Sequence, residues 1–593
     1  MTRSVRLVGF CLLLLVVALT LIGCNSLVGG PGLTISASAS KTTLQAGDST
    51  AVSSTVMHAG GNPAVTWSLS GASCPNNCGI LVNSNSASTT YSAPDFAPSA
   101  ISVTVTATAV ADPSKSASVT INVTHSLSIA CPSGNEGALS GQYAFLMQGG
   151  GKPGVVALVG SLTADGKGNI TAGLEDSNGN DAGPQTGLTI NGTASLYTVG
   201  SDQRGCLGIV NSQNTVNIYR FALGSVSAGV ADTGWMIEFD DATGNGTRAE
   251  GFLARQNSSS FSSTSLQGNY AFALAGPDSA LNRMVSAGVI NANAGNLSSG
   301  NMDSNDAGTL SSDVLGVTGI YSVASSGRGT LTLSIGGGSN YALYMISSAR
   351  FVALSIDALN ASHPLQSGEF DLQTLASFTD ASLNAAAVFF SMGYDNTSSG
   401  PTVGLGLVSP DGLGNATLHI DQNDAGVYVP LQTSAMTYTV SANGRTTTSG
   451  LNHSPVWYLI GPNAAFFIGT NPNADLGRLE PQSGGPFSIT SLSGNYSYGT
   501  EGTAAGTRLT AVGSINFDGI GNDQATEDDA TPTGLSPNLP LPVTQYSFSS
   551  TSVPPGRGTL NNNGNTVAYI ISPTKLLFFN TPASKPRILI VQQ

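Results

Sequence analysis

Apolar and polar residues alternate over short runs along most of this chain, and turn-forming segments rich in Gly, Asn, Asp and Ser separate the runs. Between residues 33 and 124 the runs are Leu33–Ala37, Ser49–Met57, Ala64–Ser70, Ser88–Ser92, Ile101–Ala109 and Ser116–Val123. A period of two is the pattern of a strand with one buried face. Several such strands at regular spacing predict a two-sheet β-sandwich in residues 33–125.

The segment 131–258 contains eight comparable runs, joined in places by tight-turn pairs such as Asp-Gly and Gly-Asn. They are Gln142–Gln148, Val155–Ala164, Asn169–Glu175, Ala194–Val199, Cys206–Val210, Val216–Leu223, Gly234–Asp240 and Arg248–Arg255. Such turns between alternating runs predict an antiparallel meander. Eight meander strands close most economically into a small barrel, which leaves no exposed edge. A two-sheet sandwich is the alternative.

The chain after residue 131 consists of four copies of one unit. Their first segments are Leu139–Phe145, Leu266–Phe272, the degenerate Leu383–Phe389 and Leu492–Tyr498. In the degenerate copy Ala387 stands where the others have tyrosine. An Asp-Gly-X-Gly-Asn turn follows at Asp165, Asp411 and Asp518, and the second copy keeps only Asn293–Asn296. An arginine beside a glycine and a closing glutamine recur as well: Arg204, Arg328, Arg445 and Arg557; Gln256, Gln373, Gln482 and Gln592.

This repetition predicts four related domains, at residues 131–258, 263–375, 380–484 and 490–593. A period of roughly 100–130 residues is too long for a solenoid repeat or a single propeller blade. Each unit is large enough to have its own core. We therefore expect an all-β protein, with a β-sandwich followed by four repeated, antiparallel, eight-stranded β-barrels.

Composition narrows the classes of function. Only 9% of the 593 residues are charged, 73 are Gly, and the net charge is −14 at pH 7. Nucleic acid and anionic lipid surfaces repel an acidic chain, so neither is an expected partner. A hydrophobic content of 40% supports well-packed cores.

The first residues have the order of an export signal. Arg3 and Arg6 precede the apolar run Leu12–Leu19, which is too short for a spanning helix and leads to Leu21-Ile22-Gly23-Cys24. These segments resemble the signal peptide and lipobox of bacterial lipoproteins. The resemblance implies removal of residues 1–23, acylation of Cys24 by groups such as palmitate, and a linker over 24–32. An ordinary signal peptide with a chance cysteine is the alternative.

The lipoprotein resemblance also implies a location. Asn25, rather than Asp, after the lipid-bearing cysteine implies the outer membrane, by similarity to enterobacterial sorting. Several acyl chains make a stable anchor where one chain alone is marginal. Loss of Arg3 and Arg6 with the signal would leave 18 basic and 34 acidic groups, a net charge of −16. We expect an exported protein that faces the cell surface and binds the membrane through its lipid.

Export would place the other cysteines in an oxidising compartment, where disulfides form. Cys11 would leave with the signal and Cys24 would carry lipid. The remaining cysteines are Cys74, Cys78, Cys131 and Cys206. Proximity in sequence favours Cys74–Cys78 and Cys131–Cys206, although four cysteines allow three pairings. A metal site at the first pair is the weaker alternative, because no second Cys pair or nearby His pair accompanies it.

Residues 33–125 contain landmarks of one sandwich family. Val65-Thr66-Trp67 places a tryptophan on a central strand, where it would fill the space between the sheets, and Tyr91-Ser92-Ala93-Pro94 and the strand Val103–Thr108 follow. Together they resemble the bacterial immunoglobulin-like domains of group 2 type. The pair Cys74 and Cys78 departs from the inter-sheet disulfide of antibody domains, so antibody recognition loops are not implied. The resemblance implies a spacer, with ligand binding as the alternative.

Acidic and amide residues recur beyond the Asp-Gly turns and form a candidate calcium site, because their oxygens suit a hard cation. The candidate ligands are Asp176, Asn178, Asp181, Asp303, Asn305, Asp306, Asp421, Asn423 and Asp424. No glutamate occupies the bidentate position that an EF-hand requires, and Asp-Gly is an ordinary hairpin turn. Structural turns are the favoured interpretation. Calcium is the alternative, and no other cofactor is expected.

The repeated arginines stand out in a chain with only 20 basic residues. An arginine at a strand start could clamp an anion or pair with an internal carboxylate, since its planar guanidinium binds carboxylates in a bidentate manner. A structural pair or a clamp on backbone carbonyls is the favoured interpretation.

The sequence contains no GxSxG, HExxH, CxxC or Walker A motif. We therefore expect a non-catalytic protein with a structural, adhesive or extracellular-ligand-binding role, in which repeated modules raise avidity. A surface rich in Ser, Thr, Asn and Gly suits glycans or other neutral polymers as partners. Carriage of small apolar ligands in the barrel lumens and an extracellular hydrolase are the alternatives.

Overall fold

The computed structural model describes residues 32–151, 154–334, 338–501, 509–551, 553–560 and 565–593. The predicted signal peptide, Cys24 and most of the predicted linker 24–32 lie outside the described residues. The described chain is all-β apart from short 3-10 turns. No helix among these residues is long and apolar enough to span a membrane. They form two compact units: one contains the chain up to Leu44, Ser49–Ser92 and Ser102–Asn122, and the other contains 45–48, 93–101 and 123–593.

The first unit consists of two four-stranded antiparallel sheets. The strands in this part of the chain are β1 (Thr34–Ala39), β2 (Thr43–Leu44), β3 (Ser49–Met57), β4 (Val65–Ser70), β5 (Ile80–Val82), β6 (Ser88–Ser92), β7 (Phe96–Ala97), β8 (Ile101–Ala109) and β9 (Ser116–Val123). The sheet orders are β1-β3-β6-β5 and β2-β9-β8-β4, while β7 belongs to the second unit. All six predicted strands are confirmed, four of them with the predicted bounds.

The interior of the first unit is centred on a tyrosine rather than on the tryptophan. Tyr91 is 0% exposed, and burial raises the pKa of its hydroxyl to about 12. Trp67 lies on β4, at the edge of its sheet, is only partly buried, and donates its Nε1 proton to the Asn85 carbonyl. The prediction that Trp67 lies on a central strand is wrong, because β4 is at the edge of its sheet and an edge strand places its side chains at the rim of the core.

The second unit begins with a short bridge and a nine-stranded sheet, which we call barrel 1. The bridge strand β10 (Ser126–Leu127) pairs with β7. The strands of barrel 1 are β11 (Ser140–Gly151), β12 (Gly154–Asp165), β13 (Ile170–Gly179), β14 (Gln185–Thr189), β15 (Leu196–Val199), β16 (Arg204–Val210), β17 (Val216–Ser227), β18 (Val230–Glu238) and β19 (Thr247–Arg255). Two isolated bridges, Asn169–Leu196 and Ile190–Asn211, join the two ends of this sheet. The sequence predicted eight of these strands and missed β14.

Barrels 2 and 3 are closed, eight-stranded antiparallel meanders, as predicted. Barrel 2 contains β20 (Gln267–Pro277), β21 (Arg283–Asn293), β22 (Asn296–Asp306), β23 (Thr309–Val323), β24 (Arg328–Leu333), β25 (Ser339–Ser347), β26 (Arg350–Ser355) and β27 (Ser367–Leu372). Barrel 3 contains β28 (Ala387–Asp395), β29 (Gly400–Pro410), β30 (Asn415–Asp424), β31 (Val427–Val440), β32 (Arg445–Ser449), β33 (Val456–Gly461), β34 (Ala464–Ile468) and β35 (Leu476–Pro481).

Barrel 4 closes through pairing of its second and third strands and carries one extra strand, β39, as a hairpin arm on the third. Its strands are β36 (Gly494–Glu501), β37 (Thr510–Phe517), β38 (Asn522–Thr531), β39 (Gly534–Pro540), β40 (Thr544–Phe548), β41 (Arg557–Leu560), β42 (Thr566–Ser572), β43 (Lys575–Asn580) and β44 (Ile588–Gln592). The fourth strand of the meander is therefore divided in barrels 1 and 4. In barrel 4 the divide follows Pro540, the last residue of β39, and contains Pro542; neither proline can donate to a sheet ladder.

Each barrel is closed at one end by the same small element. A 3-10 turn precedes a buried leucine, as at Ser263–Ser265 and Leu266 in barrel 2. The hydroxyl of Tyr321, from the fourth strand of the meander, donates to the Leu266 carbonyl at 2.7 Å. The equivalent tyrosines in the other barrels are Tyr197, Tyr438 and Tyr546. This recurring tyrosine fastens the entering chain to the far side of the barrel.

The Asp-Gly-X-Gly-Asn sequences are confirmed as structural turns. Asp411 Oδ1 accepts the backbone N–H groups of Leu413 and Asn415 at 2.7 and 3.0 Å, and Oδ2 accepts the Asn415 amide. Gly412 and Gly414 have φ of +77° and +97°, a region that favours glycine. The same hydrogen bonds recur at Asp165 and Asp518. The carboxylate therefore accepts hydrogen bonds from the backbone of its own turn.

Both predicted disulfides are confirmed. Cys74 and Cys78 are joined in the first unit, and Cys131 and Cys206 in the second. The second bridge ties the chain that enters barrel 1 to β16, beside the buried Phe96 of β7.

The barrels contact one another in a closed cycle. The first strands of barrel 1 (β11–β13) face β25 and β26 of barrel 2, and the same arrangement follows from barrel 2 to 3 and from 3 to 4. The first strands of barrel 4, β36 and β37, face β17 and β18 of barrel 1. Head-to-tail contacts of this kind produce a ring when the rotation closes. The four units of the sequence are thus arranged as a ring of four barrels.

Candidate functional site

The recurring charged residues meet at the junctions between barrels. At the junction of barrels 2 and 3, Asp303 is 3% exposed and accepts two hydrogen bonds from the Arg445 guanidinium, both at 2.8 Å. The hydroxyl of Tyr458 donates to Asp303 Oδ2 at 2.5 Å, and the backbone N–H of Asp313 donates to Oδ1 at 3.0 Å. A buried carboxylate needs such partners to offset desolvation. We call this set the Asp–Arg–Tyr junction.

The same junction joins barrel 1 to barrel 2 and barrel 3 to barrel 4. Its members are Asp176, Arg328 and Tyr344 in the first case, and Asp421, Arg557 and Tyr569 in the second. Oxygen–nitrogen distances lie between 2.6 and 2.8 Å, and both aspartates are 0% exposed. The pKa of each tyrosine hydroxyl is raised well above its usual range, mainly by burial and secondly by the negative charge of the aspartate. The hydroxyls therefore stay protonated and act as donors.

The fourth junction closes the ring with a variation. Asp528 of barrel 4 accepts Arg204 Nη1 of barrel 1 at 2.8 Å, and Arg220 Nη1 lies 3.6 Å from its other oxygen. The strand register places Ala222 where the other barrels have the junction tyrosine. A second cation therefore replaces the hydroxyl. The favoured prediction for the arginines, a structural pair with a carboxylate, is confirmed, but the carboxylate belongs to the preceding barrel in the ring.

An asparagine two residues beyond each of three junction aspartates reaches the same neighbour. Asn305 Nδ2 donates to the carbonyls of Gly469 and Asn471 in barrel 3, both at 2.8 Å. Asn178 and Asn423 do the same at the neighbouring junctions. In barrel 4 the position is Ala530, which packs in an apolar cluster with Ile237 of barrel 1.

These contacts give the candidate calcium ligands another role. The first two residues of each set, Asp176 and Asn178 for example, are bound to the next barrel's guanidinium and carbonyls. A divalent cation there would lie against a positive charge. The third residues, Asp181, Asp306 and Asp424, are not brought into the junctions, and Asp181 and Asp424 are exposed. No group of three or more His, Cys, Asp or Glu side chains among the described residues is arranged to hold a metal ion.

The closing glutamines also act between barrels. Gln256, Gln373 and Gln482 each donate their amide to a backbone carbonyl in the next barrel, at Met345, Leu459 and Ile570. Gln592 donates to Ser225 of barrel 1 but lies two positions earlier in its strand register. The first three are equivalent and the fourth is not.

A second charged cluster lies where all four barrels converge. Arg350 and Glu369 of barrel 2 are 2.6 Å apart, and Arg478 of barrel 3 binds Asp371 of barrel 2 at 2.8 Å. A cavity of about 120 Å³ beside them is lined by residues of every barrel, including Phe252, Glu369, Arg478 and Glu501. We call this set of residues the central cluster.

Two glutamates of this region have no cation as a hydrogen-bonding partner among the described residues. Burial raises the pKa of Glu250, which accepts the Thr500 hydroxyl, to about 7. Burial, with a further contribution from the negative charge of Glu369, raises the pKa of Glu501 to about 7. Both carboxyls therefore change protonation near neutral pH.

The barrel interiors differ from one another. In barrel 2, stacked rings of Phe272, Phe351 and Phe370 lie 4.5 to 5.1 Å apart and fill the lumen. In barrel 3 a cavity of about 410 Å³ lies between Phe389, Trp457 and other inward side chains.

No family model, no curated protein and no solved structure matches this chain.

Replacing Arg445 with methionine is expected to destabilise the protein by about 3–5 kcal/mol, because it leaves the buried Asp303 without its cation. Urea unfolding followed by tryptophan fluorescence measures the loss. The control is Arg255→Met, which removes an exposed pair with Asp232 (45% and 51% exposed) worth about 0–1 kcal/mol. Equal effects of the two substitutions would contradict a structural role for the junction.

Stability is expected to fall as the pH rises from about 4.5 to about 7, because of Glu250 and Glu501. In this window the unfolded chain has released protons that the folded chain still holds, so the free energy of unfolding decreases with pH. Glu250→Gln removes one titrating group and should reduce the decrease, as measured by melting temperature at several pH values.

Glu480→Gln serves as the control of opposite sign. Burial acts to raise the pKa of Glu480, but the charges of Lys575 and Arg478 lower it below its usual range. Its contribution is present above the unfolded pKa and is lost as the pH falls. The decrease between pH 5 and 7 should therefore persist in this variant, and an unchanged decrease in Glu250→Gln would refute the assignment.

Proposed function

We propose that this protein is a lipid-anchored, non-catalytic module of the bacterial envelope that presents a rigid ring of barrels to an extracellular polymer or surface. The observation that supports it best is the use of the repeated charged residues. Asp176, Asp303, Asp421 and Asp528 are all buried between neighbouring barrels and join them. The recurrence of this aspartate in every copy is thereby explained by its role in joining barrels. A catalytic role is not needed to explain it.

Rigidity favours a presenting role. Four junctions in a closed cycle constrain each barrel from two sides, so groups on the outer loops keep fixed spacings. Fixed spacings allow several weak contacts to act together without a large loss of entropy.

Exposed apolar side chains at equivalent turns supply contact groups. Leu413 is 82% exposed and Ile520 is 75% exposed, each at the third position of an Asp-Gly-X-Gly-Asn turn. Both turns are held by their own aspartate, so the side chains project from a fixed backbone. We propose that these two turns contribute to the contact surface for neutral glycans or similar polymers.

Metabolic labelling with palmitate tests the anchor. Cys24→Ser should abolish the label and move the protein from the membrane fraction to the soluble fraction. Cys11→Ser, within the same apolar signal, should leave both properties unchanged. A label that survives Cys24→Ser would refute the anchor.

A binding screen against glycans and neutral polymers, with the mature protein from residue 25 onward, tests the presenting role. The double variant Leu413→Ser, Ile520→Ser should weaken binding about tenfold, as expected when central apolar contacts are lost. Leu315→Ser, which removes a 74% exposed leucine on barrel 2, is the control and should have little effect. Absence of polymer binding, or equal effects of the two variants, would contradict the proposal.

A further inference from the structure

The cavity in barrel 3 has the volume and the aromatic lining of a ligand pocket. Its volume is about 410 Å³, within the range of roughly 300–1,000 Å³ for small-molecule sites. Phe389, Trp457 and Phe467 form its aromatic part and are 5%, 3% and 6% exposed. Aromatic walls of this kind offer a large apolar contact area.

The cavity exists because two inward positions of barrel 3 hold small residues. Ser391 pairs with Gly404, whereas the equivalent pairs are Leu274 with Ser286 in barrel 2 and Met147 with Leu158 in barrel 1. A Cβ atom at Gly404 would lie 2.7 Å from Ser391 Oγ and 3.2 Å from the Ile420 side chain. The degenerate copy of the repeat therefore has space inside.

Polar groups line this space together with the aromatic side chains. Gln422, Gln432 and Asn452 line it and are exposed, so they mark an opening to solvent. At the other lining positions, Asn471 Oδ1 is buried and has no hydrogen-bond partner among the described residues. A buried acceptor without a donor is costly, and a ligand hydroxyl or amide would satisfy it.

The lining carries little net charge. Its one carboxylate, Asp475, already accepts the Asn471 amide at 2.6 Å and the Thr402 hydroxyl at 3.3 Å. The positive charge of Arg283 from barrel 2 also acts on it. Because Asp475 is already partnered, a charged ligand would gain little in exchange for its lost hydration, so a neutral one is favoured.

We propose that the lumen of barrel 3 binds a small neutral amphipathic molecule, with an aromatic or alicyclic body against Phe389, Trp457 and Phe467 and a hydroxyl or amide group that donates to Asn471. This activity goes beyond the presenting role, since it requires neither the lipid anchor nor the exposed turns.

Titration with the neutral fluorescent amine N-phenyl-1-naphthylamine, a body with one N–H donor, tests the site in the full mature protein. We expect saturable binding of one probe per chain. Ser391→Leu introduces the side chain that barrel 2 has at this position and should weaken binding about tenfold or more by filling the space. Ser409→Leu, on the same barrel but not part of the cavity lining, is the matched control and should leave the affinity unchanged.

Energy transfer provides a second measurement that does not depend on the Ser391 variant folding. The chain has three tryptophans, at 67, 235 and 457, and the last lines the cavity. Trp457→Phe should remove most of the tryptophan-sensitised probe fluorescence while directly excited probe still reports binding. No saturable binding, equal affinity in folded Ser391→Leu, or unchanged transfer in Trp457→Phe would each overturn the proposal.

Discussion

The second unit depends on one interaction. A buried aspartate accepts hydrogen bonds from both a guanidinium and a tyrosine hydroxyl of the next barrel. Each partner alone would be costly to bury, and together they satisfy the carboxylate from every side. Since the aspartate lies on the third strand of one barrel and the arginine on the fifth meander strand of the next, the pair fixes direction around the ring. Apolar contacts such as those of Tyr344 with Leu146 surround the pair and exclude water.

The fourth junction shows how a linear array becomes a ring. Asp528 binds barrel 1, which has Ala222 in place of the junction tyrosine. The positive charge of Arg220 lies near Asp528 and compensates for the missing hydroxyl. Ala530 in place of the asparagine allows Ile237 and Phe239 to pack closely instead. This junction thus exchanges polar hydrogen bonds for apolar packing and a second cation. The exchange explains why the first and last copies of the repeat differ most from their neighbours at these positions.

Repetition also leaves room for divergence inside the barrels. An inward side chain contacts only its own barrel, so changes there do not disturb the ring. Barrel 2 uses this freedom for stacked phenylalanines, whereas barrel 3 has Ser391 and Gly404 and an open space. In the same way the exposed X residues of the Asp-Gly turns, Leu413 and Ile520, vary without affecting the turn's hydrogen bonds. Functional differences between the copies are therefore placed in lumens and at turn tips.

Period-two alternation and turn residues were sufficient to predict the all-β class, the strands of the first unit, the eight-stranded meanders and the Asp-Gly turns, because each depends on contacts close in sequence. The disulfides followed from the small number of cysteines. The sequence did not predict β14, whose residues Gln185–Thr189 alternate weakly, or the edge position of Trp67, since strand order is a tertiary property.

The junctions were visible in the sequence only as unconnected motifs. Arg445 and Asp303 each recur in the repeats, yet they are 142 residues apart and belong to different copies. No local sequence pattern indicates that a carboxylate in one unit binds an arginine in the next. Oxygen-rich clusters such as Asp303 and Asn305 were therefore equally consistent with a calcium site. From the sequence, Tyr458 was recognisable only as an aromatic residue on a core strand. Alternation and turn residues act locally, so the barrels could be predicted from the sequence. The ring could not, because its buried charges find their partners across barrels.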